Sequence, residues 1–251
     1  MAHQIDYKIV GDDMQAVLIT LDPGETVQAE AGSMMFMESE IEMNSEMQGG
    51  IFGGIKRKLG GESLFITTFT NHGPGKQHVS FAAPYPGKII PLDLTAMGPV
   101  FCQRDAYLAS AYGIDISVAL TRRLGAGFFG GEGFILQKLS GDGYAFIQAG
   151  GTVLRHELKA RQTLEVDTGC LVGFQESVDY DIRTVSGIKT ALFGGEGIFL
   201  AHLTGPGTVY LQTLPFSRMA DRIISAAGFS GSQGEVRRGG DGILGQLLNG
   251  D

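Results

Sequence analysis

The sequence is poor in the residues on which several kinds of site depend. Its 251 residues include two cysteines, Cys102 and Cys170, and no tryptophan. Two cysteines so far apart fit neither a disulfide framework nor the ligand spacing of a zinc site. We therefore expect both to be small buried apolar groups. A reducing cytoplasm is the simplest location for such a chain.

Long apolar runs are also lacking, and the first residues do not have the pattern expected of a leader sequence. No hydrophobic run approaches the ~18 residues that a membrane-spanning helix needs. The first ten residues, MAHQIDYKIV, have the pattern of neither a signal peptide nor a transit peptide. We expect a cytoplasmic protein, with a peripheral position at the membrane as the alternative.

Positive charge is scarce. The formal net charge is −8 and the isoelectric point is about 5.1. Proteins that bind nucleic acids gain affinity by neutralising phosphates, so this balance disfavours a nucleic-acid partner. The basic cluster at residues 56–58 is too small to reverse the overall field.

Motifs of enzymes and cofactor sites are lacking as well. The stretch GAGFFG (125–130) matches a dinucleotide-binding pattern but leads into a predicted strand, so it provides no helix N-terminus for a phosphate. The five histidines are scattered, and His156 and His202 are expected to be packed or solvated, with no acid–base partner apparent. We predict no catalytic residues, no metal and no cofactor. A β-helix metalloenzyme is the least favoured alternative.

Glycine is the residue in excess. It occupies 39 of 251 positions, without the periodicity of collagen. Glycines that separate many short apolar runs are typical of strands and tight turns. The stretch VDYDIRTV (178–185) alternates between Val178, Tyr180 and Ile182 on one face and charged residues on the other. The sequence predicts an all-β protein.

An internal repeat organises the chain. FGGEG occurs at 129–133 and at 193–197, and LGGES at 59–63. Similar apolar positions surround each copy, which predicts three pseudo-repeats at about 5–86, 87–150 and 151–215 within a single domain, 1–215. In each repeat, a strand after the GG pair ends in a Gly-flanked turn before a second strand, which predicts a hairpin. A C-terminal segment, 216–251, begins with a short helix capped by Ser217 and continues as a Gly-rich tail.

Each repeated glycine pair is followed by a glutamate: Glu62, Glu132 and Glu196. These carboxylates could accept hydrogen bonds from the N–H groups of their own turns, which is a structural role. Alternatively, three equivalent carboxylates could meet near a local threefold axis and hold a cation. The structural role is the favoured interpretation, because oxygen-only cation sites usually need more ligands.

The segment Gly32 to Gly61 is unusual because it holds five of the nine methionines and ends near Lys56, Arg57 and Lys58. Methionine-rich surfaces adapt to varied partners, and an apolar segment beside basic residues can lie on anionic lipid. Methionine is also a common filler of cores. We favour the core interpretation and keep a protein or membrane-surface partner as the alternative.

The stretches EAGSMMFM, GGIFGGIKRKLGGESLF, VDTGCLVGF, GIKTALFGGEGI and TGPGTVYLQT, within residues 5–214, resemble the altered-inheritance-of-mitochondria family. Bacterial members of that family form a domain of unknown function. The resemblance implies β-sandwich or double-stranded β-helix units, related to the tryptophan-RNA-binding attenuator protein, that associate into rings. It supplies no catalytic residues. It also implies a glycine where this chain has Asp105. Since aspartate tolerates the left-handed conformation, we expect the turn at Asp105 to be kept.

Two hypotheses about function follow. The first is a non-enzymatic, ring-forming homo-oligomer, a trimer or another ring, that serves as a scaffold or interaction protein. The second is a binding module for a small ligand or, against the acidic charge, RNA. The second rests on analogy of fold alone.

Overall fold

The computed structural model describes residues 1–46, 66–122, 134–185 and 198–227. These residues form antiparallel β-sheets with two short α-helices, so the predicted all-β class is confirmed. The chain divides into two compact units, residues 1–219 and 220–251. The sheets all belong to the first unit.

The strands fall into the three ranges that the sequence marks. The first contains β1 (Asp6–Val10), β2 (Ala16–Leu21), β3 (Thr26–Glu30), β4 (Met34–Met37), β5 (Ile41–Glu46), β6 (Ile66–Asn71) and β7 (Gln77–Ala82). The second contains β8 (Gly87–Asp93), β9 (Val100–Gln103), β10 (Tyr107–Ala111), β11 (Asp115–Arg122), β12 (Phe134–Ser140) and β13 (Tyr144–Gly150). The third contains β14 (Val153–Leu158), β15 (Thr163–Asp167), β16 (Leu171–Gln175), β17 (Asp179–Val185), β18 (Ile198–Thr204) and β19 (Gly207–Gln212).

The helices are short. Helix α1 (Leu94–Met97) begins after Asp93, whose carboxylate accepts hydrogen bonds from the N–H groups of Thr95 and Ala96. Helix α2 (Phe216–Ala226) confirms the predicted C-terminal helix. It begins one residue before Ser217, so the predicted capping role of that serine is wrong. Neither helix in the described part of the chain has the length and apolar character needed to traverse a bilayer.

The same strand pairings recur in all three ranges from β2 onward. Leaving β1 aside, the fourth and fifth strands of each range form a hairpin, and the fifth also pairs with the second. The first strand pairs with the sixth, which also pairs with the third. Two further pairs join neighbouring ranges: β3 with β10, and β9 with β16. We call these two pairs the first and second joints. The internal repeat itself remains an interpretation of the sequence.

The predicted hairpin across each Gly-flanked turn is wrong. The turn after β12 leads to β13, but β12 pairs with β11 and β9, whereas β13 pairs with β10 and β8. The turn therefore carries the chain from one sheet to another. Both strands are almost wholly buried, as expected where sheets pack face to face rather than exposing one side to water.

Two hydrophobic clusters form the core. The larger unites the first and second ranges around fully buried side chains such as Phe81, Leu108 and Phe146. The smaller lies mainly in the third range around Phe174 and Leu203. The alternation that the sequence shows at 178–185 is confirmed in this smaller cluster: Val178 and Ile182 are buried, whereas the charged residues between them are exposed.

Candidate functional site

The three repeated glutamates lie outside the described residues. Glu62, Glu132 and Glu196 fall in the ranges 47–65, 123–133 and 186–197. Each range connects two strands that pair as a hairpin: β5 with β6, β11 with β12, and β17 with β18. The structural role and the cation-binding role of these carboxylates both stay predictions.

The methionine-rich segment is described as far as residue 46, and most of its methionines do not fill the core. Met34 packs against the larger cluster. Met35, Met37 and Met43 are exposed by 64%, 37% and 46%, and Phe36 is exposed by 44%. The favoured core interpretation is therefore wrong for these three methionines. The sequence could not distinguish the two cases, because exposure here depends on which strands lie alongside.

Strand β4, which we call the Met-rich edge (Met34–Met37), is the last strand of its sheet. It pairs on one side with β7 and has no strand ladder on the other among the described residues. A bulge at Met35 interrupts the pairing between Met34 and Phe36. An edge strand with apolar residues presents unpaired backbone groups and is a template for another strand.

Histidine and glutamate side chains pair around the first range. Nε2 of His72 lies 3.0 Å from Glu42, and Nδ1 of His78 lies 3.2 Å from Glu38. The backbone N–H of His78 donates to the Glu38 carboxylate, which lowers the pKa of that carboxyl. His202 contacts Glu165 in the third range. The expectation that His202 has no acid–base partner is therefore wrong, while His156 is exposed as expected.

Among the residues that the structure describes, no three histidine, cysteine or acidic side chains come together in a way that could hold a metal ion. Cys102 is fully buried and burial raises the pKa of its thiol, as a small apolar group would behave. Cys170 is only half-buried, so the expectation of burial holds for one cysteine.

A pocket of about 290 Å³ lies where the first and second ranges meet. We call it the acidic pocket. Its lining includes Glu30 at the end of β3, Asp105 in the turn between β9 and β10, and Gln148 on β13, together with the apolar groups of Tyr85, Leu108 and Phe216. Sequence analysis does not find it, since its polar residues lie as much as 118 residues apart, from Glu30 to Gln148, and follow no local pattern.

The Asp105 turn is kept, but not for the expected reason. Residues Arg104–Ala106 form one turn of 3₁₀ helix, and Asp105 has no positive φ. Gly169, at the corresponding position of the third range, lies in a similar turn and also lacks a positive φ. Since no left-handed residue is needed there, a side chain is allowed, and in this chain it adds a carboxylate to the pocket.

Comparison with known proteins relates the whole fold to other chains. An X-ray crystal structure of a Streptococcus pyogenes protein superposes with a TM-score of 0.73 and 24% identity, covering 89% of this chain and all of the other. An uncharacterised protein of Streptococcus pyogenes serotype M6 is 26% identical over 212 residues, which are 81% of this chain and 83% of that protein. The family model described as mitochondrial biogenesis AIM24 matches residues 7–214. Since this match spans most of the sequence, the chain belongs to the AIM24 family.

Proposed function

We propose that the protein is a non-enzymatic scaffold whose copies assemble head to tail into a ring, with β4 of one copy paired to β15 of the next. In this proposal it acts in the cytoplasm and its partner is a second copy of the same chain. The observation that carries the proposal is a contrast in burial between strands that hold corresponding places in the sheets.

The strands that enter the two joints are buried, and β4 is not. In both joints, the third strand of one range pairs with the second strand of the range before it. These third strands, β10 and β16, are buried along almost their whole length. Each contains a bulge at the position of Met35, and the bulged residues Leu108 and Val172 are 0% and 1% exposed. Met35 is 64% exposed, since within the described residues no second strand lies alongside β4 on the side away from β7.

The second strand of the third range differs from its counterparts in the same way. β3 and β9 are largely buried at the joints. β15 is the last strand of its sheet, and most of its residues are exposed or half-buried. The described part of the chain therefore has one strand of each joint-forming kind without a joint partner, β4 and β15. A β4–β15 pair between copies would repeat the joint already formed twice within the chain.

The register of the two existing joints supports a specific register for such a pair. Ala29 lies opposite Ala109 in the first joint, and Cys102 lies opposite Gly173 in the second. The corresponding residues of the unpaired strands are Val166 and Phe36. The expected register therefore places Val166 opposite Phe36 of the next copy. Glu165 would then lie opposite Met37.

Burial of the Met-rich edge supplies a driving force for this contact. An apolar side chain of this size contributes about 1.5–3 kcal/mol when it is fully buried. New backbone hydrogen bonds between the two strands add specificity of register. Because the contact uses different surfaces on the two copies, further copies can add in the same way, and the assembly proposed is the ring that forms when the rotation per copy closes.

Disulfide cross-linking tests the register. We expect Val166→Cys and Phe36→Cys, each made in a Cys170→Ser background, to form a covalent dimer when the two variants are mixed and mildly oxidised. Residues opposite each other in an antiparallel pair have Cα atoms about 4.5–5.5 Å apart, which suits a disulfide. Non-reducing electrophoresis measures the product.

Met14→Cys replaces Phe36→Cys as the matched control, because Met14 is 65% exposed and lies outside β4. A chain that carries both Val166→Cys and Phe36→Cys should give a ladder of covalent oligomers. If that chain forms a disulfide only within itself, or if the mixture gives no more dimer than the Met14→Cys control, the head-to-tail contact is rejected.

A further inference from the structure

The acidic pocket contains a buried polar atom that nothing in the described chain satisfies. Gln148 is only 4% exposed, and its Nε2 donates to the backbone carbonyl of Asp105 at 2.9 Å. This bond fixes the orientation of the amide, since a carbonyl only accepts. The Oε1 of Gln148 is buried and has no hydrogen-bond partner among the described residues. A buried acceptor without a donor is costly, so the geometry favours a ligand that brings one.

Negative charge lies beside this acceptor. Burial and, to a lesser extent, the negative charge of Asp105 together raise the pKa of the Glu30 carboxyl to about 7, against a smaller opposite effect of Arg104. Asp105 is exposed and pairs with Arg104 at 3.0 Å. Above about pH 7 the pocket therefore presents two carboxylates and one carbonyl oxygen, all of which accept hydrogen bonds from a cation.

The rest of the lining is apolar and aromatic. The ring of Tyr85 lies 5.6 Å from that of Phe216, and Leu108 is fully buried. Burial also raises the pKa of the Tyr85 hydroxyl to about 12, so this side chain stays neutral. Aromatic faces attract organic cations, and apolar walls hold the carbon skeleton of a ligand.

We infer that the acidic pocket binds a small organic ammonium ion, with the charged nitrogen between Glu30 and Asp105, one N–H donated to Oε1 of Gln148, and the carbon skeleton against Tyr85 and Phe216. This inference goes beyond the assembly proposed above and depends on different residues. A volume of about 290 Å³ suits a ligand with a single ring.

Affinity for such a cation depends on pH through Glu30. The charges of Asp105 and Arg104 affect the pKa of Glu30. The charge of Glu30 in turn raises the pKa values of Tyr85, Cys102 and Tyr107. The Cys102 thiol and the hydroxyls of Tyr85 and Tyr107 stay neutral near pH 7, because the pKa of each is raised. Glu30 is therefore the group that ionises in this range, and binding strengthens as the pH rises through about 7.

Calorimetric titration of the full chain with 2-phenylethylammonium tests the inference. The neutral compound 2-phenylethanol serves as the matched ligand, because it keeps the ring and lacks the charge. We expect the ammonium compound to bind at least about tenfold more tightly than the alcohol at about pH 8, and this preference to shrink at about pH 6. Equal binding of the two compounds, or no binding of the ammonium compound, overturns the inference.

Two pairs of variants locate the site. Glu30→Gln should weaken binding of the ammonium compound by about tenfold or more and remove the pH dependence of that binding. Its control, Asp12→Asn, changes a fully exposed carboxylate and should alter neither the affinity nor its pH dependence. Gln148→Met should also weaken binding. Its control is Gln137→Met, because Gln137 is likewise a buried glutamine with an unpaired Oε1 but does not line the pocket.

If Gln148→Met folds poorly, Asp105→Asn provides a further variant at an exposed position. We expect Asp105→Asn to weaken binding of the ammonium compound as well. Unchanged binding in Glu30→Gln and Asp105→Asn excludes the acidic pocket as the site. Since ligand titration and cross-linking use different residues, failure of one proposal leaves the other open to its own test.

Discussion

At the scale of single residues, Glu30 links stability to pH. Its carboxyl has a pKa of about 7 in the folded protein against an ordinary value of 4.5, mainly because burial disfavours the charged form. Between these two values the folded state binds the proton and the unfolded chain does not. The folded state holds more protons, so the contribution of Glu30 to stability is present at low pH and is lost as the pH rises through about 7.

Glu30→Gln keeps the shape of the side chain and removes its charge. We expect the variant to match the wild type at about pH 5 and to be more stable at about pH 8, by up to about 3 kcal/mol. Urea denaturation at several pH values measures the difference. The exposed Asp12→Asn variant should follow the wild-type curve. Parallel curves for Glu30→Gln and the wild type would show that Glu30 ionises normally in the folded state.

Sequence analysis could identify some of these residues but not their roles. The sequence singles out Asp105, because the resemblance to a family implies a glycine there. Its role in the acidic pocket, however, depends on Glu30 and Gln148, which lie on distant strands. A carboxylate whose pKa is raised by burial has no local sequence signal, since burial results from the packing of the whole first unit. That the Oε1 of Gln148 has no hydrogen-bond donor among the described residues cannot be predicted from the sequence either, since it too results from packing.

At the scale of strands, the second joint depends on a close approach of two backbones. Gly173 lies opposite Cys102 in the joint between β9 and β16. A Cβ placed on Gly173 would lie 2.7 Å from the carbonyl oxygen of Phe101 and 3.2 Å from the Cβ of Cys102. At the corresponding place in the first joint, Ala29 lies opposite Ala109. Two methyl groups therefore face each other in the first joint, whereas in the second a cysteine side chain faces a glycine without one.

Gly173→Ala should therefore destabilise the protein by about 1–3 kcal/mol, because the strands must separate to admit the methyl group. The matched control is Gly75→Ala, where a Cβ meets no atom within 4 Å and the backbone has no positive φ. Urea denaturation midpoints measure both. If the two variants are equally stable, the second joint can widen without cost.

The strands themselves are largely predictable, whereas their partners are not. Alternation identifies β17 through Ile182 within the strand and Val178 just before it, and glycine turns mark where strands end. The turn between β12 and β13 has the pattern of a hairpin but connects two sheets. Local turn residues determine the path of the chain over a few positions, and the choice of sheet depends on burial of both strand faces, which is a tertiary property.

At the scale of the whole molecule, assembly should depend on the Met-rich edge. Met35→Glu places a charge where the proposal requires burial, and an uncompensated buried charge is costly. We expect this variant to lose the oligomer at micromolar concentration. Met14→Glu, at a methionine with almost the same exposure, should keep it. Light scattering coupled to gel filtration measures the mass of each, and equal masses for the two variants would argue against β4 as the contact.

The distance along the chain between the strands of the first joint affects synthesis. Ala29 of β3 pairs with Ala109 of β10, 80 residues later. At about 5–20 residues per second, the nascent chain waits about 4–16 seconds before this partner is made. During that interval the edge of β3 that later pairs with β10 is unpaired. A chaperone that binds nascent chains, or a neighbouring nascent chain, can bind to this edge. Translation pauses that lengthen the interval would favour misassembly, and synonymous codons between β3 and β10 would then influence the yield of folded protein.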